Sequence, residues 1–196
     1  MRRCLAGLLL ALTACEPPLP DPWPPVAPEE NDAGVTRVRV VADGAGFLAT
    51  VNATDTRLWV GLDLDAASEA SFEPPAWDLA FNRFHVRARG GASGDGGVMV
   101  AILKDVTFEA VTVAPVDGYL EDLPDGPDDN TDLDTVFEVP EPWYMYELST
   151  HILTPQPWVY VVKSDQQATF KVRLDGYYDG AGTPAVLSVR FARLSD

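Results

Sequence analysis

Apolar and polar side chains alternate along several short runs of the chain. In Ala168–Tyr178, the apolar residues Phe170, Val172 and Leu174 are separated by polar ones, and Ala185–Leu194 repeats the alternation. Successive residues of a β-strand point to opposite faces of the sheet. This spacing therefore predicts two half-buried antiparallel strands, each with one apolar face and one solvated face.

Other short runs, bounded by Gly, Asn, Asp or Pro, also predict strands. They are Val35–Ala42, Phe47–Ala53, Leu58–Leu64, Trp77–Arg87, Val98–Leu103, Val106–Val113 and Trp158–Lys163. The glycine-rich segment Asp179–Gly182 predicts a hairpin turn between the last two strands of the chain. A helical pattern is absent apart from a short possible turn at Leu64–Ser71. We therefore expect an all-β, antiparallel, sandwich-like domain over residues 35–196.

The run Trp77–Arg87 carries the residues Phe81, Arg83 and His85 at every second position. If the run forms one uninterrupted strand, these three side chains share a face, and Phe84 lies on the other. Its first residues, Trp77 and Asp78, are expected to belong to the framework. Asp78 is expected to accept a hydrogen bond from a backbone amide or from Arg83.

The N-terminus has the features of a bacterial lipoprotein signal. Arg2 and Arg3 precede a short apolar run, residues 5–12, that is too short to span a bilayer as a helix. The sequence Leu12–Cys15 then matches a lipobox, so residues 1–14 are predicted to be removed and Cys15 to be lipidated. The alternative is an ordinary secretory signal with an incidental cysteine.

The residues after Cys15 bear on location and spacing. Glu16 stands where an aspartate would retain a lipoprotein in the inner membrane, which favours the outer membrane and leaves the leaflet open. Residues 16–34 contain seven prolines, and such segments prefer extended polyproline II. We expect residues 15–34 to be a tether that follows the lipid, although a proline-rich segment can also be a ligand for a partner domain.

Charge and cysteine content narrow the functional classes. The chain has 14 basic and 30 acidic residues, for a net charge of −16, whereas nucleic-acid binding needs a basic surface. We therefore expect no nucleic-acid partner and membrane attachment through the lipid alone. The two cysteines are Cys4, in the signal, and Cys15, so the mature domain has no thiol for a disulfide or a metal.

One acidic segment, residues 117–138, contains nine carboxylates and no Lys or Arg. Within it, Asp128–Asp134 places oxygen atoms at alternate positions, which invites comparison with a calcium-binding loop. Leu133 stands where an EF-hand loop needs Gly, and Val139 stands where it needs Glu. A solvated, mobile acidic loop is the interpretation that the residues favour.

No residue pattern indicates catalysis. The chain has two histidines, and the mature domain has no cysteine to act as a nucleophile. The glycine-rich segment Gly90–Gly97 lacks the Gly-Lys-Ser/Thr ending of a phosphate-binding loop and is expected to be a β-turn loop. We therefore predict that the protein is not an enzyme.

Two blocks of the sequence together resemble the HmuY family of haem-binding bacterial surface lipoproteins. The first is Trp77–Gly97, which begins WDLAF, and the second is Trp143–Tyr178, which begins WYMYELSTHILTP. The blocks occur in the order and approximate spacing that the family shows. The resemblance implies an HmuY-type fold and a non-enzymatic role in haem and iron capture. It also implies haem or a haem-carrying protein as partner, and an outer-membrane receptor as a possible second one.

The resemblance directs attention to the aromatic segment before His151. Family members use His or Met as axial ligands, and haem iron accepts both. His151 is the strongest candidate for an iron ligand, and Met145 is the candidate for a second, soft ligand. The aromatic residues that could stack on a porphyrin are Trp143, Tyr144, Tyr146 and Trp158.

Each of these residues also has a simpler interpretation. A histidine near a turn is often a hydrogen-bonding surface residue, and aromatic residues in a β-domain usually pack. His85 is a weaker ligand candidate, and the second axial ligand stays unassigned. The alternative function is an HmuY-fold lipoprotein without haem, acting as a structural module or binding a protein or glycan.

Overall fold

The structure, a computed structural model, describes residues 35–127 and 132–195. The predicted signal peptide, Cys15 and the predicted tether lie outside the described residues. Residues 128–131, which form most of the segment compared with a calcium loop, lie outside them as well.

Strands dominate the part of the chain that the structure describes. They are β1 (Val38–Asp43), β2 (Gly46–Asn52), β3 (Val60–Asp63), β4 (Ser68–Ala70), β5 (Leu79–Asn82), β6 (His85–Ala88), β7 (Met99–Leu103), β8 (Tyr144–Glu147), β9 (Ile152–Pro155), β10 (Val159–Lys163), β11 (Thr169–Tyr178) and β12 (Pro184–Arg193). The one helical element among the described residues is a single 3-10 turn at Gly91–Ser93. The described chain thus offers no helix long and apolar enough to cross a bilayer. The all-β prediction is confirmed.

The strands form a large sheet, a small sheet and a separate hairpin, all with antiparallel pairing. The large sheet has the order β1-β2-β12-β11-β10-β7, and the small sheet has the order β4-β3-β5-β6. Strands β8 and β9 pair only with each other. The predicted hairpin between the last two strands is confirmed, with Val172 opposite Phe191 and Arg173 opposite Arg190.

The core lies where the apolar faces of the two sheets meet. Phe170, Val172 and Leu174 of β11 are buried, as their alternation predicts, and belong to the same apolar cluster as Leu62 and Phe81 of the small sheet. Burying such side chains is worth about 1.5–3 kcal/mol each relative to exposure. With no disulfide available to the described domain, this shared core holds the two sheets together.

The prediction of one strand over Trp77–Arg87 is wrong, because the run folds back on itself. Strands β5 and β6 form a hairpin in which Asn82 pairs with His85. The reversal occurs at Arg83, whose φ of 54° lies in the left-handed region. A single such residue redirects the chain, so Phe81, Arg83 and His85 do not share a face.

The predicted strand Val106–Val113 is also wrong. Phe108 and Val111 are buried against the outer face of the large sheet, in a cluster with Val159 and Val161 of β10. The Lys171 Nζ donates hydrogen bonds to the carbonyl oxygens of Phe108 and Val111, at 2.8 and 2.9 Å. These two carbonyl oxygens thus accept hydrogen bonds from a side chain instead of from the backbone of a neighbouring strand. The possible helical turn at Leu64–Ser71 is instead a turn that leads into β4.

Most residues of 117–127 are exposed, as a solvated acidic loop predicts, but Asp122 and residues 135–137 are buried and anchor the acidic segment to the domain. Asp122 is 1% exposed, and its carboxylate accepts hydrogen bonds from the backbone amides of Ala88 (3.0 Å) and Val136 (2.9 Å). The Ser93 hydroxyl donates a third, at 2.6 Å. Phe137 is fully buried. The carboxylate therefore ties this segment to β6 and to the 3-10 turn, which composition alone could not indicate.

Candidate functional site

The β8–β9 hairpin brings the aromatic segment to the surface of the domain. Tyr144 and Tyr146 lie on one face of β8, because alternate residues of a strand point the same way. The turn after β8 ends at His151, whose φ is 58° and whose backbone N–H donates to the Glu147 carbonyl at 2.8 Å. This turn returns the chain so that Leu153 lies opposite Tyr146.

An aromatic cavity of about 490 Å³ opens beside this hairpin. Three structural elements surround it: the β8–β9 hairpin, the β5–β6 turn, and the end of the β11–β12 hairpin. Its lining residues are Arg83, Phe84, Tyr144, Tyr146, His151, Leu153, Tyr177, Tyr178 and Pro184. The volume is within the usual range for small-molecule sites, and the lining is mainly aromatic with a few polar groups, as such sites require.

Tyr146 and His151 form a pair at the rim of the cavity. The Tyr146 hydroxyl oxygen lies 2.6 Å from His151 Nδ1, and the ring centroids are 6.0 Å apart. Both residues are exposed, and Tyr146 keeps 50% of its accessible surface. If Nδ1 carries the proton and donates to the phenol oxygen, the Nε2 lone pair is available to a metal. Within the described part of the chain, Nε2 has no hydrogen-bond partner.

The deeper wall of the cavity carries the phenol groups of Tyr144, Tyr177 and Tyr178. Burial raises the pKa of Tyr144 to about 12. Burial also raises the pKa of Tyr177, and the nearby Arg83 guanidinium opposes that increase only in part. The Tyr178 hydroxyl oxygen accepts a hydrogen bond from the Leu153 N–H at 3.1 Å. These side chains therefore present O–H donors beside flat apolar rings.

Trp143 supports this wall from behind. It is 1% exposed, and its Nε1–H donates to the Phe84 carbonyl at 2.8 Å. Its ring contacts Tyr144 edge-on, with centroids 5.3 Å apart, and it lies 6.3 Å from the ring of Tyr177. Trp143 thus orients cavity residues and does not itself line the cavity. Trp158 lies elsewhere, under the ammonium group of Lys104 at 4.2 Å.

Met145 and His85 are not part of the cavity lining. Met145 alternates with Tyr146 along β8, so its side chain lies on the opposite face of the hairpin, where it is 52% exposed. The Nδ1 atom of His85 lies 3.1 and 3.3 Å from the carboxylate oxygens of Glu138. The structure therefore brings together His151, Tyr146 and Tyr144 among the sequence-predicted residues, and leaves Met145 and His85 apart from them.

Sequence reasoning did not find Arg83, Phe84, Tyr177 or Tyr178. The adjacent residues Tyr177 and Tyr178 both line the cavity although neighbours in a regular strand point to opposite faces. Irregular pairing in β11, where the register shifts at Gly176 and again at Tyr178, changes the alternation there. The Tyr-Tyr pair before a glycine turn was a visible signal, but nothing local assigned it to a site.

Another carboxylate cluster lies apart from the cavity lining. One oxygen of each of Asp63, Asp65 and Asp78 lies within 4.8 Å of the others. Asp78 is fully buried, and its two oxygens accept hydrogen bonds from the backbone amides of Leu64 (2.8 Å) and Asp165 (2.9 Å). The expectation that Asp78 is a framework residue bonded to the backbone is confirmed. Burial raises its pKa to about 7.

Comparison with known proteins identifies the family. The family of the HmuY protein matches residues 55–191, which covers most of the chain, including the cavity residues Arg83 to Tyr178 and Pro184. The chain belongs to the HmuY family. A search among curated proteins found no match.

Solved structures of HmuY type share the fold of this HmuY-family chain. The apo HmuY analogue of Tannerella forsythia aligns with a TM-score of 0.61 and 14% identity, over 80% of this chain and 99% of that one. A candidate HmuY-like haem-binding protein of Bacteroides vulgatus gives a TM-score of 0.58 and 19% identity over 78% of this chain and 93% of that one. A candidate lipoprotein of Bacteroides fragilis gives 0.59 and 17% over 80% and 96%. At these identities the likeness establishes the fold alone.

Proposed function

We propose that this protein is a non-enzymatic, lipid-anchored haem-binding protein that takes part in haem and iron capture, and that the aromatic cavity is the haem site. The observation that carries the proposal is an aromatic cavity with an imidazole at its rim, in a chain of the HmuY family. The donor set fits haem: Phe84 and Tyr144 offer flat apolar surface, and His151 offers a nitrogen ligand.

In this proposal His151 would hold the iron, and Tyr146 would fix the orientation of the imidazole. A metal-bound histidine usually donates its other ring N–H to a neighbouring acceptor, which sets the tautomer and increases the basicity of the ligand nitrogen. The Tyr146 oxygen, 2.6 Å from His151 Nδ1, is placed to be that acceptor. Haem, when bound, supplies the iron and the redox chemistry, while the protein supplies the ligand, the apolar walls and the orientation.

Met145 remains the predicted thioether ligand. Its position on the other face of the hairpin, 52% exposed, does not favour coordination together with His151 from within the cavity. The phenols Tyr144 and Tyr177 keep their protons at neutral pH, so neither is a ready phenolate ligand. We therefore propose that, among the cavity residues, His151 would hold the iron and Trp143 would support the wall behind it.

Anchoring completes the proposal. Cys15, in the lipobox Leu12–Cys15, would carry the lipid, and residues 15–34 would connect it to the domain. The Glu16 that follows favours the outer membrane. We propose haem, free or delivered by a haem-carrying protein, as the ligand and an outer-membrane receptor as the recipient.

The direct test is titration of the purified protein with haem, followed by the Soret absorption band. Saturable binding with a sharp, shifted Soret band is the expected result. A folded protein, verified by circular dichroism, that shows no saturation would contradict the proposal. That outcome would favour the alternative, an HmuY-fold module that binds a protein or glycan without haem.

A further inference from the structure

Among the residues that the structure describes, the cavity lining contains one permanently cationic side chain and no carboxylate. Arg83 is that cation, and the other lining residues are aromatic or apolar, apart from the imidazole of His151. The chain as a whole has 30 acidic residues against 14 basic ones. The Glu138 carboxylate acts on Tyr144 from outside the lining and lies within hydrogen-bond distance of His85. The cation in the lining itself, Arg83, makes the cavity suited to an anionic group placed next to the guanidinium.

Arg83 lacks a counter-ion among residues 35–127 and 132–195. Its Nη1 donates a hydrogen bond to the Thr54 carbonyl at 3.3 Å, and it forms no ion pair with any described carboxylate. Arg89 and Arg190, by contrast, are each paired with carboxylates. The Arg83 side chain is half-buried. Partial burial of an unpaired charge is unfavourable, and an anionic group on a ligand would offset that cost.

The position of Arg83 is fixed by the backbone. It is the turn residue between β5 and β6, with a φ of 54°, and the Thr54 carbonyl holds its guanidinium from one side. The adjacent residue, Phe84, lines the cavity and accepts the Trp143 Nε1–H hydrogen bond on its carbonyl. The guanidinium is thus pre-positioned at the cavity by the turn and by the buried tryptophan.

Two phenols, Tyr177 and Tyr178, add neutral donors to the same cavity lining. The guanidinium is close enough to Tyr177 to influence the ionisation of its phenol electrostatically. The Tyr178 oxygen accepts from the Leu153 N–H, so its own hydrogen can be donated to another group. A guanidinium beside phenol O–H donors is a suitable receptor for a carboxylate, since charge-assisted hydrogen bonds to carboxylates are the stronger kind.

We propose that Arg83 anchors a carboxylate of the bound ligand, so that the cavity selects a carboxylate-bearing tetrapyrrole over the same ring with its acids neutralised. The choice of a tetrapyrrole as the ligand rests on the proposed function. The carboxylate subsite rests on Arg83, Tyr177 and Tyr178 alone. Haem and iron-free protoporphyrin both carry such acids, whereas their dimethyl esters do not.

The experiment compares these four ligands on the full protein and on three variants. Arg83→Gln removes the charge and keeps a hydrogen-bond donor, and Arg83→Asn removes it with a residue that tolerates the left-handed conformation well. The matched control is Arg193→Gln. Tyr178 and Pro184, which line the cavity, pair at one end of the β11–β12 hairpin, and Arg193 pairs with Phe170 at the other end. This substitution removes the same charge without touching the cavity.

We expect the unmodified protein to bind haem about tenfold more tightly than haem dimethyl ester, as loss of a hydrogen-bonded charge pair predicts. The ratio of acid affinity to ester affinity should fall close to one in Arg83→Gln and Arg83→Asn. It should stay unchanged in Arg193→Gln. Absorption reports haem binding, and ligand fluorescence reports iron-free protoporphyrin binding. Thermal unfolding verifies that each variant is folded.

The possible outcomes separate the subsite from the proposed function. Equal binding of acid and ester by the unmodified protein overturns the subsite without any variant. A preference that persists in both Arg83 variants overturns it too, while saturable haem binding leaves the proposed function intact. Protoporphyrin binding with an Arg83-dependent preference, in a protein that does not bind haem saturably, supports the subsite and contradicts iron coordination. Failure to bind any of the four ligands overturns both.

Discussion

The hydroxyl oxygen of Tyr146 lies 2.6 Å from Nδ1 of His151. The two residues are five positions apart, and they meet because the turn between β8 and β9 places His151 in a left-handed conformation with φ of 58°. The strand pairing of Tyr146 with Leu153 holds the turn in register. The pair makes the imidazole a directed group at the rim of an aromatic cavity instead of a mobile surface side chain.

Replacing His151 is the direct test of the proposed iron ligand. In His151→Ala we expect the Soret band to shift and the affinity for haem to fall, because a metal–ligand bond is lost. The loss should be partial, since the aromatic contacts with the ring remain. Absorption titration measures both effects. Met145→Ala is the parallel variant, and a change in its spectrum as large as that of His151→Ala would contradict the assignment of the principal ligand to His151.

Tyr146→Phe isolates the hydrogen bond to His151. The variant keeps the ring and removes the hydroxyl, so we expect weaker haem binding by roughly threefold to tenfold, the usual net value of one hydrogen bond. The reduction potential of bound haem should also change, because the ligand nitrogen becomes less basic. Tyr119→Phe is the matched control, since the Tyr119 hydroxyl is buried without a hydrogen-bond partner in the described structure. Identical potentials in all three proteins would exclude a positioning role for Tyr146.

Cys15→Ala tests the predicted lipid anchor. The unmodified protein should incorporate a fatty-acid analogue and partition into the detergent phase, and the variant should lose both properties because no other cysteine follows the signal. Cys4→Ala is the matched control and should keep both. Labelling that survives in Cys15→Ala would refute lipidation at this residue.

Asp122→Ala should destabilise the fold without involving the cavity. The substitution leaves the amides of Ala88 and Val136 and the hydroxyl of Ser93 without their common acceptor. Each buried donor left unpaired costs about 1–3 kcal/mol, so we expect the free energy of unfolding to fall by roughly 3 kcal/mol or more. Urea denaturation measures it. Asp125→Ala, at an exposed position of the same segment, should change stability little, and equal effects of the two variants would contradict the structural role.

Asp78 gives stability a defined pH dependence. Burial raises its pKa from 3.8 to about 7, so between these values the folded state holds a proton that the unfolded state has lost. The contribution of Asp78 to the free energy of unfolding therefore falls as pH rises from about 4 to about 7, and it is constant above that range. It amounts to roughly 4 kcal/mol at most.

Comparison with Asp78→Asn isolates this contribution, since the amide does not titrate. We expect the difference in free energy of unfolding between the two proteins to change in favour of the variant as pH rises through the window. Urea denaturation at several pH values between 4.5 and 8 measures it. Parallel pH profiles would show that Asp78 does not titrate abnormally.

The alternation of residues was sufficient to locate most strands. It placed the β11 and β12 strands almost to the residue, because a two-residue period with one apolar face has few other stable arrangements. It failed at Val106–Val113, where apolar residues are buried by a non-strand segment covering the outer face of β10. Burial of isolated apolar residues needs no regular pairing, so their spacing did not distinguish the two cases.

The sequence by itself determined the all-β class, the HmuY resemblance and the importance of the segment that contains Tyr146 and His151. Only the tertiary structure decided that Arg83, Phe84 and the Tyr177–Tyr178 pair join them. The cavity combines three hairpin segments from different parts of the chain, and each depends on a backbone irregularity: the left-handed Arg83, the left-handed His151 and the register shifts near Gly176. A periodic pattern encodes which face is buried, but it does not encode where the chain departs from the period or which distant segments those departures bring together.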